Sequence, residues 1–270
     1  GFAPHNSYAI TATTAALAAC RKHGVQDVFL TMWGDDGAEC SKFAMLPSLY
    51  FAAEAARGNK DMQSIKDGFR GMFGMDFDTY MLLDLPGTPN ESSTWCPNAD
   101  KYMLYNDCLA GVMDTTVRAD AAPGFAACAE KLAAVGKTSE YGYLFETMQK
   151  LCELLAVKAD IGKRTRSAYQ QKDMAAIRAL IDEYSRLTEL TDAFYYAFRR
   201  QWMKENKPQG FDVQDIRIGA LLLRLRHCRE RLEDYAAGRS STIEELEGTP
   251  LDPFGRGTEY HEGPTQLNSW

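Results

Sequence analysis

The residues best suited to chemistry lie between Asp27 and Glu39, in the stretch DVFLTMWGDDGAE. Trp33 closes the apolar run Val28-Phe29-Leu30-Thr31-Met32, Gly34 ends it, and three carboxylates follow, Asp35, Asp36 and Glu39. A tryptophan face packs on the apolar face of a pyranose, and a carboxylate accepts hydrogen bonds from sugar hydroxyls, so one reading is a sugar-binding corner. A second is a capping loop, whose acids favour the N-terminal dipole of the next helix. A third makes Asp35, Asp36 and Glu39 oxygen ligands of a metal ion. No histidine lies nearby in sequence.

The other candidates are weaker. Asp182-Glu183 and Glu233-Asp234 are adjacent carboxylate pairs. Asp182-Glu183 falls mid-helix among Ile181, Tyr184 and Leu187, which reads as a solvated helix face rather than an acid–base site. His227 and Cys228 are neighbours on a helix, where successive side chains diverge by about 100°, so they do not form a catalytic pair. From Arg199 to Arg231 there are nine Lys or Arg against four Asp or Glu. At helical spacing these cations flank an apolar stripe, as snorkelling side chains do, rather than forming a nucleic-acid face interleaved with aromatics. Arg217, between Ile216 and Ile218, is expected to be half-buried and ion-paired.

The elements that must position these residues follow from periodicity. The run 28–33 reads as a strand buried on both faces. Ligands in α/β folds bind beyond the carboxyl ends of such strands, which is where the acidic loop falls. Before it, residues 8–22 read as a helix capped by Ser7 and ended by Gly24. After it, Ser41 opens a second helix running to Gly58, with Pro47 near its first turn. Helix, strand, loop and helix make one and a half βα units. One strand cannot make a sheet, so the partner strands must lie elsewhere. The chain opens Gly1-Phe2-Ala3-Pro4-His5-Asn6 without an initiating Met, and the expectation is a fragment of a longer enzyme.

Residues 60–120 give short helical patterns. The loop Pro86-Gly87-Thr88-Pro89-Asn90 interrupts them, and a helix is expected near 101–112. A short helix over 126–135 follows. Then come three long ones: a stripe from Tyr141 through Leu155 toward Tyr169; one opened by Asp173, carrying Ile177, Leu180, Tyr184, Leu187, Phe194, Phe198 and Trp202; and one capped by Asp212, carrying Val213, Ile216, Ala220, Leu225, Cys228, Leu232 and Tyr235. Long helices with short links imply an antiparallel bundle. The expected division is a terminal piece of a (β/α)8 barrel over 1–58, a helical domain over 59–248 and an extended tail over 249–270.

Composition sets outer bounds. The chain has 270 residues, 45% hydrophobic and 25% charged, with a net charge of -7. That balance suits a globular protein and offers nothing global to a polyanion. No run approaches the 18 or so apolar residues of a membrane span. Seven cysteines are scattered without a CxxC pair, which argues for reduced thiols and a cytoplasmic setting.

The motif TMWGDDGAEC, with GFAPHN before it and LPSLYFAAEAARG after it, resembles the last barrel strand and flanks of the β-N-acetylhexosaminidases, glycoside hydrolase family 20. It is most similar to the bacterial N-acetylglucosaminidase branch that carries a helical C-terminal domain. The segment Trp202 to Cys228, WMKENKPQGFDVQDIRIGALLLRLRHC, resembles that branch's C-terminal helices. The resemblance implies that Trp33 forms one wall of the pocket for the terminal N-acetyl sugar. It implies that Asp35 binds the distal hydroxyls, with a reach one methylene shorter than the Glu of many members. The resemblance transfers no role to Asp36 or Glu39; Asp36 is expected as a further substrate contact, Glu39 as a cap or brace of the loop, and Asn6 as a neighbour of the site. Catalysis in that family is substrate-assisted. It uses an adjacent Asp-Glu pair on an earlier barrel strand, and this chain lacks that pair in a strand context.

The expectation is therefore a mainly α chain, a helical bundle preceded by the last helix-strand-helix piece of a (β/α)8 barrel. Functionally it is the C-terminal part of an exo-acting β-N-acetylhexosaminidase, without its own catalytic pair, cofactor or metal. The partner expected is an N-acetylhexosamine-terminated glycan, with neither nucleic acid nor membrane, and self-association as a homodimer. The alternative is a non-catalytic helical packing or dimerisation module.

Overall fold

A computed structural model describes residues 1–33, 37–88, 98–136 and 139–249. The chain is mainly α. Among the described residues eleven α-helices occur: α1 (Asn6–Lys22), α2 (Leu46–Ala56), α3 (Met62–Phe73), α4 (Phe77–Met81), α5 (Ala99–Tyr105), α6 (Ala121–Ala133), α7 (Gly142–Lys158), α8 (Ile161–Gln170), α9 (Met174–Glu205), α10 (Phe211–Ala236) and α11 (Glu244–Glu247). Short 3₁₀ turns over Lys42–Met45, Leu82–Gly87 and Asp114–Thr116 join some of them.

The core is built by α6, α7, α9 and α10, with α7 packed between α6 and α9 and α10 packed along α9. Asp173 accepts hydrogen bonds from the backbone N–H of Ala175 and Ala176, each 3.0 Å, and so starts α9. Its apolar stripe Ile177, Leu180, Tyr184, Leu187, Phe194, Phe198 and Trp202 is buried as expected. The opening residues are part of this core. Phe2 meets Phe194 and Phe198 edge to face, with centroids 5.3 and 5.4 Å apart. The backbone N–H of Phe2 and of Ala3 donate to Asp100 Oδ2 at 2.7 and 2.8 Å.

Several expectations need correction. No strand is formed over 28–33, and none occurs among the described residues. Residues 25–33 have no regular structure and are exposed, Phe29 by 90% and Trp33 by 81%. A strand needs a ladder partner for its backbone groups, and no second strand is described to supply one. The expected 101–112 helix ends at Tyr105, because the side chains beyond it bind backbone and redirect the chain. Asp107 accepts from the N–H of Leu109 and of Ala110, and Asn106 accepts from that of Met113. The 141–169 stripe breaks at Ala159-Asp160 into α7 and α8. Pro86 and Gly87 close a 3₁₀ turn rather than opening a loop. The α10 helix starts one residue before Asp212, on a Gly210 with φ of 94°. Within α10, Ile216 and Ala220 face solvent, while Gln214, Arg217 and Leu221 are buried. The tail over 250–270 lies outside the described residues.

Other local signals hold. Gly24 has φ of 70° just past α1. Ser41 Oγ accepts from the N–H of Phe43 and starts the 3₁₀ turn that leads into α2, with Pro47 in that helix's first turn. Ser7 itself does not cap α1. Asp84 does so from afar, accepting from the N–H of Asn6 at 3.0 Å and of Ser7 at 2.7 Å.

Candidate functional site

Trp33 is held out into solvent, with its Nε1–H donating to Thr31 Oγ1 at 2.9 Å. Such a ring leaves an open face, the condition for stacking on a sugar. Asp35 and Asp36 lie outside the described residues. After Leu17 the next buried residue in the described chain is Glu39, whose side chain has no exposed surface.

Glu39 is gripped by two cations from the helical part. Lys101 Nζ, on α5, donates to both carboxylate oxygens at 3.0 and 3.1 Å. Arg217, on α10, donates through Nη1 to Oε1. The Lys101 and Arg217 side chains are themselves 7% and 2% exposed. The Arg217 guanidinium lies over the Tyr105 ring, 5.3 Å from its centroid. Burial pushes the Tyr105 phenol up, an effect that Arg217 partly offsets. Gln214 Nε2, one helical turn before Arg217, donates to the Gly37 carbonyl at 3.1 Å. Gly37 has φ of 108°, and an added Cβ would sit 2.9 Å from both Arg217 Nη1 and Glu39 Oε1. Only glycine meets both demands.

The anchorage continues along the chain. Ser41 Oγ donates to Glu205 Oε1 at 2.7 Å, at the end of α9. Burial raises the Glu205 carboxyl against the hydrogen bonds of Ser41 and Tyr143, which lower it. Burial also pushes the Cys40 thiol up to about 12, so Cys40 stays a thiol near neutrality and does not act as a nucleophile. Asn6 is fully buried. Its Nδ2 donates to Ala44 O and Asp84 Oδ1, and its Oδ1 accepts from Ser48 N. These bonds make it a cross-brace between α1 and α2.

The remaining candidates fall into structural roles. Glu183 forms a two-pronged ion pair with Arg164, both contacts 2.7 Å, while Asp182 faces solvent. Glu233 pairs with Arg229 and Asp234 with Arg239. His227 is exposed and Cys228 is buried. A metal ligand needs lone pairs turned toward the ion, whereas those of Glu39 meet Lys101 and Arg217. Among the described residues no group of three or more His, Cys, Asp or Glu is placed to hold a metal ion. No helix among them is long and apolar enough to cross a membrane.

The structure buries Glu39 between two cations. Sequence reasoning expected Trp33 in a sugar site and Glu39 as a cap or brace of its loop. It missed Lys101 and Gln214 and gave Arg217 only half its burial. The one available signal was polar: Gln214, Arg217 and Leu221 recur at helical spacing, a stripe hidden because two of its three members are hydrophilic.

Comparison with known families adds one finding. Residues 78–262 match the family described as Glycoside Hydrolase 20C C-terminal domain. No curated protein matches the chain.

Proposed function

The chain belongs to the glycoside hydrolase 20C C-terminal domain family, and from that premise we propose that it is the C-terminal part of an exo-acting β-N-acetylhexosaminidase. The match over 78–262 carries this reading. In the proposal residues 1–58 are the last portion of the (β/α)8 barrel, 59–248 the helical C-terminal domain and 249–270 an extended tail. Trp33 stacks on the terminal N-acetylglucosamine or N-acetylgalactosamine, and Asp35 and Asp36 accept hydrogen bonds from its hydroxyls. The exposed ring of Trp33, at the end of an unpaired apolar run, supports this placement.

The chain itself supplies substrate contacts rather than the acid–base pair. Glu183, the acid of its only Asp-Glu dyad, is neutralised by Arg164. Cleavage of the parent's glycan, with the acetamido oxygen attacking the anomeric carbon, needs carboxylates from barrel strands, and no strand occurs among the described residues. The proposed setting is cytoplasmic, which suits the free thiols of Cys20, Cys40, Cys108, Cys128, Cys152 and Cys228.

The test is calorimetric titration of the chain with N-acetylglucosamine and with a thiazoline analogue of the intermediate, beside an assay on a nitrophenyl N-acetylglucosaminide. The expected result is measurable binding that Trp33→Ala abolishes, with no turnover. Turnover by this chain would overturn the non-catalytic assignment. Binding unchanged in Trp33→Ala would overturn the site.

A second reading, a packing or dimerisation module without sugar contacts, is favoured by one observation. Val28, Phe29, Leu30 and Met32 are all exposed beside Trp33. It predicts self-association with no sugar binding.

A further inference from the structure

We infer that the cleft between the 3₁₀ turn Asp114–Thr116 and α8 binds a phosphate group, either free or carried by a small polar molecule such as a hexose phosphate. The site shares no residue with the Trp33 region, and the inference stands without the sugar reading.

The cleft has a volume of about 320 Å³ and is lined by Asp114, Thr115, Lys163, Arg166, Ser167 and Gln170. The four residues from α8 recur at spacings of three and four, so they stand on one face of the helix. Clefts of this size hold small molecules, and their walls are mostly apolar. Here every lining residue is polar, which points to a ligand that is itself charged and rich in hydrogen-bonding groups.

The charges fix its sign. Arg166 is buried, and its guanidinium donates to main-chain carbonyls alone. Nη1 reaches Leu246 and Gly248 at 3.0 and 2.8 Å, and Nη2 reaches Leu109 and Glu245 at 2.6 and 3.1 Å. Its Nε is buried without a partner. Lys163 Nζ donates to the Val117 carbonyl at 2.8 Å and keeps two of its three protons for other acceptors. Carbonyl dipoles satisfy hydrogen bonds but do not neutralise a cation, and a buried charge without a counter-charge is costly. The acid of the lining is Asp114, whose Oδ1 accepts from Asn106 Nδ2 at 2.9 Å. Burial raises its carboxyl, against Asn106, Arg166, Lys158 and Lys163, which lower it. The cleft therefore sets two cations against one buried acid.

The neutral groups add donors. Thr115 and Gln170 are exposed and make no side-chain hydrogen bond among the described residues. Ser167 Oγ accepts from Gln171 Nε2 at 2.9 Å and keeps its own O–H. Two hydroxyls, an amide and an ammonium with protons to spare suit a ligand that brings several acceptors and more than one negative charge. A phosphate monoester carries about −1.5 to −2 charge near neutrality and three strong acceptor oxygens. A carboxylate brings one charge and two oxygens. In this scheme Lys163 meets the phosphate as a point charge, and Arg166 adds its field from the wall of the cleft.

The experiment titrates the isotope-labelled full chain with inorganic phosphate, with glucose 6-phosphate and with glucose, each against chloride of equal ionic strength. It follows the backbone amide resonances of Thr115, Ser167 and Gln170. The expected result is a saturable shift of these amides with phosphate that neither chloride nor glucose produces. Tighter binding of glucose 6-phosphate identifies an esterified phosphate as the ligand, and tighter binding of inorganic phosphate identifies the free anion; both uphold the site. Lys163→Gln, at an exposed position, should weaken binding by about tenfold, the loss of one hydrogen bond to a charged group. Asp114→Asn, which keeps an acceptor for Asn106, removes the opposing charge and should tighten binding, a gain that a merely structural role would not give. Where Asp114→Asn fails to fold, Lys163→Gln carries the test. No saturable shift with either phosphate overturns the inference. So does a phosphate affinity unchanged in Lys163→Gln, or a shift that glucose alone reproduces.

Discussion

Two buried carboxylates of this chain, Glu39 and Asp107, have cations beside them, and Asp107 shows what that does to stability. Burial alone would raise its carboxyl. The Arg224 guanidinium, at 2.7 and 3.1 Å, and the backbone N–H of Ala110 and Leu109 outweigh burial and hold it below the usual carboxylate range. A carboxyl depressed in the folded state contributes stability above its unfolded value of about 3.9 and loses it as pH falls through the folded value. The expectation is that the urea midpoint of the native chain falls from about pH 5 downward through this group. Asp107→Asn should cost about 2 kcal/mol at pH 7, typical of hydrogen bonds to a charged group. Denaturation series at pH 7, 5, 4 and 3 should show the two proteins converging as pH falls. A constant gap across the series would mean that Arg224 and Asp107 are not coupled as drawn. The Glu39 cluster belongs to the same scale: Lys101 and Arg217 both hold its buried carboxylate.

At the scale of elements, the α9 helix is the clearest product of local sequence. Its cap is Asp173, its stripe repeats at three and four residues for seven turns, and both are visible without coordinates. Asp173→Ala should therefore destabilise the chain by about 1 kcal/mol, the worth of an N-cap, with the denaturant slope unchanged. A loss of less than a few tenths would show that packing of the stripe alone sets the helix start. The neighbouring α10 was only half legible. From Leu225 onward its apolar residues mark the buried face, but in its first half the buried face carries Gln214 and Arg217. Those two are buried because Gly37 and Glu39 lie opposite them, nearly 180 residues earlier in the chain. No local periodicity encodes such a pairing. The α1 helix makes the same point: Ser7 is a good capping residue by type, yet the cap comes from Asp84 across the fold. The candidate site divides likewise. The expectation for Trp33 and the bracing of the loop by Glu39 follow from residue type and position, whereas the partners of Glu39, Lys101 and Arg217, are tertiary. The strand over 28–33 failed for a related reason. Its composition is right for a sheet interior, but strand structure belongs to a pair of strands.

For the molecule as a whole, that unpaired run is the feature with the largest consequence. Val25, Val28, Phe29, Leu30, Met32 and Trp33 are exposed together, and Tyr8 on α1 is exposed as well. Apolar residues scattered singly on a surface are ordinary, but a contiguous set is a contact surface awaiting a partner. Its backbone N–H and C=O groups also stand free of any sheet and can template a second strand. In the proposed parent enzyme the neighbouring barrel strands fill that role. In this chain by itself the available partner is a second copy, and the expectation is a homodimer whose population rises with concentration in light scattering. Burying one Phe side chain is worth about 1.5–3 kcal/mol, so Phe29→Asp, which forfeits that and adds a charge to the run, should weaken the dimer by at least about tenfold. The same substitution should leave the helical circular dichroism and the unfolding midpoint nearly unchanged, because Phe29 is 90% exposed in the single chain. A strictly monomeric wild-type chain at high concentration would count against the contact surface. A dimer indifferent to Phe29→Asp would move the interface elsewhere. The exposed pair Ile216 and Leu223 on α10 would be the next place to look.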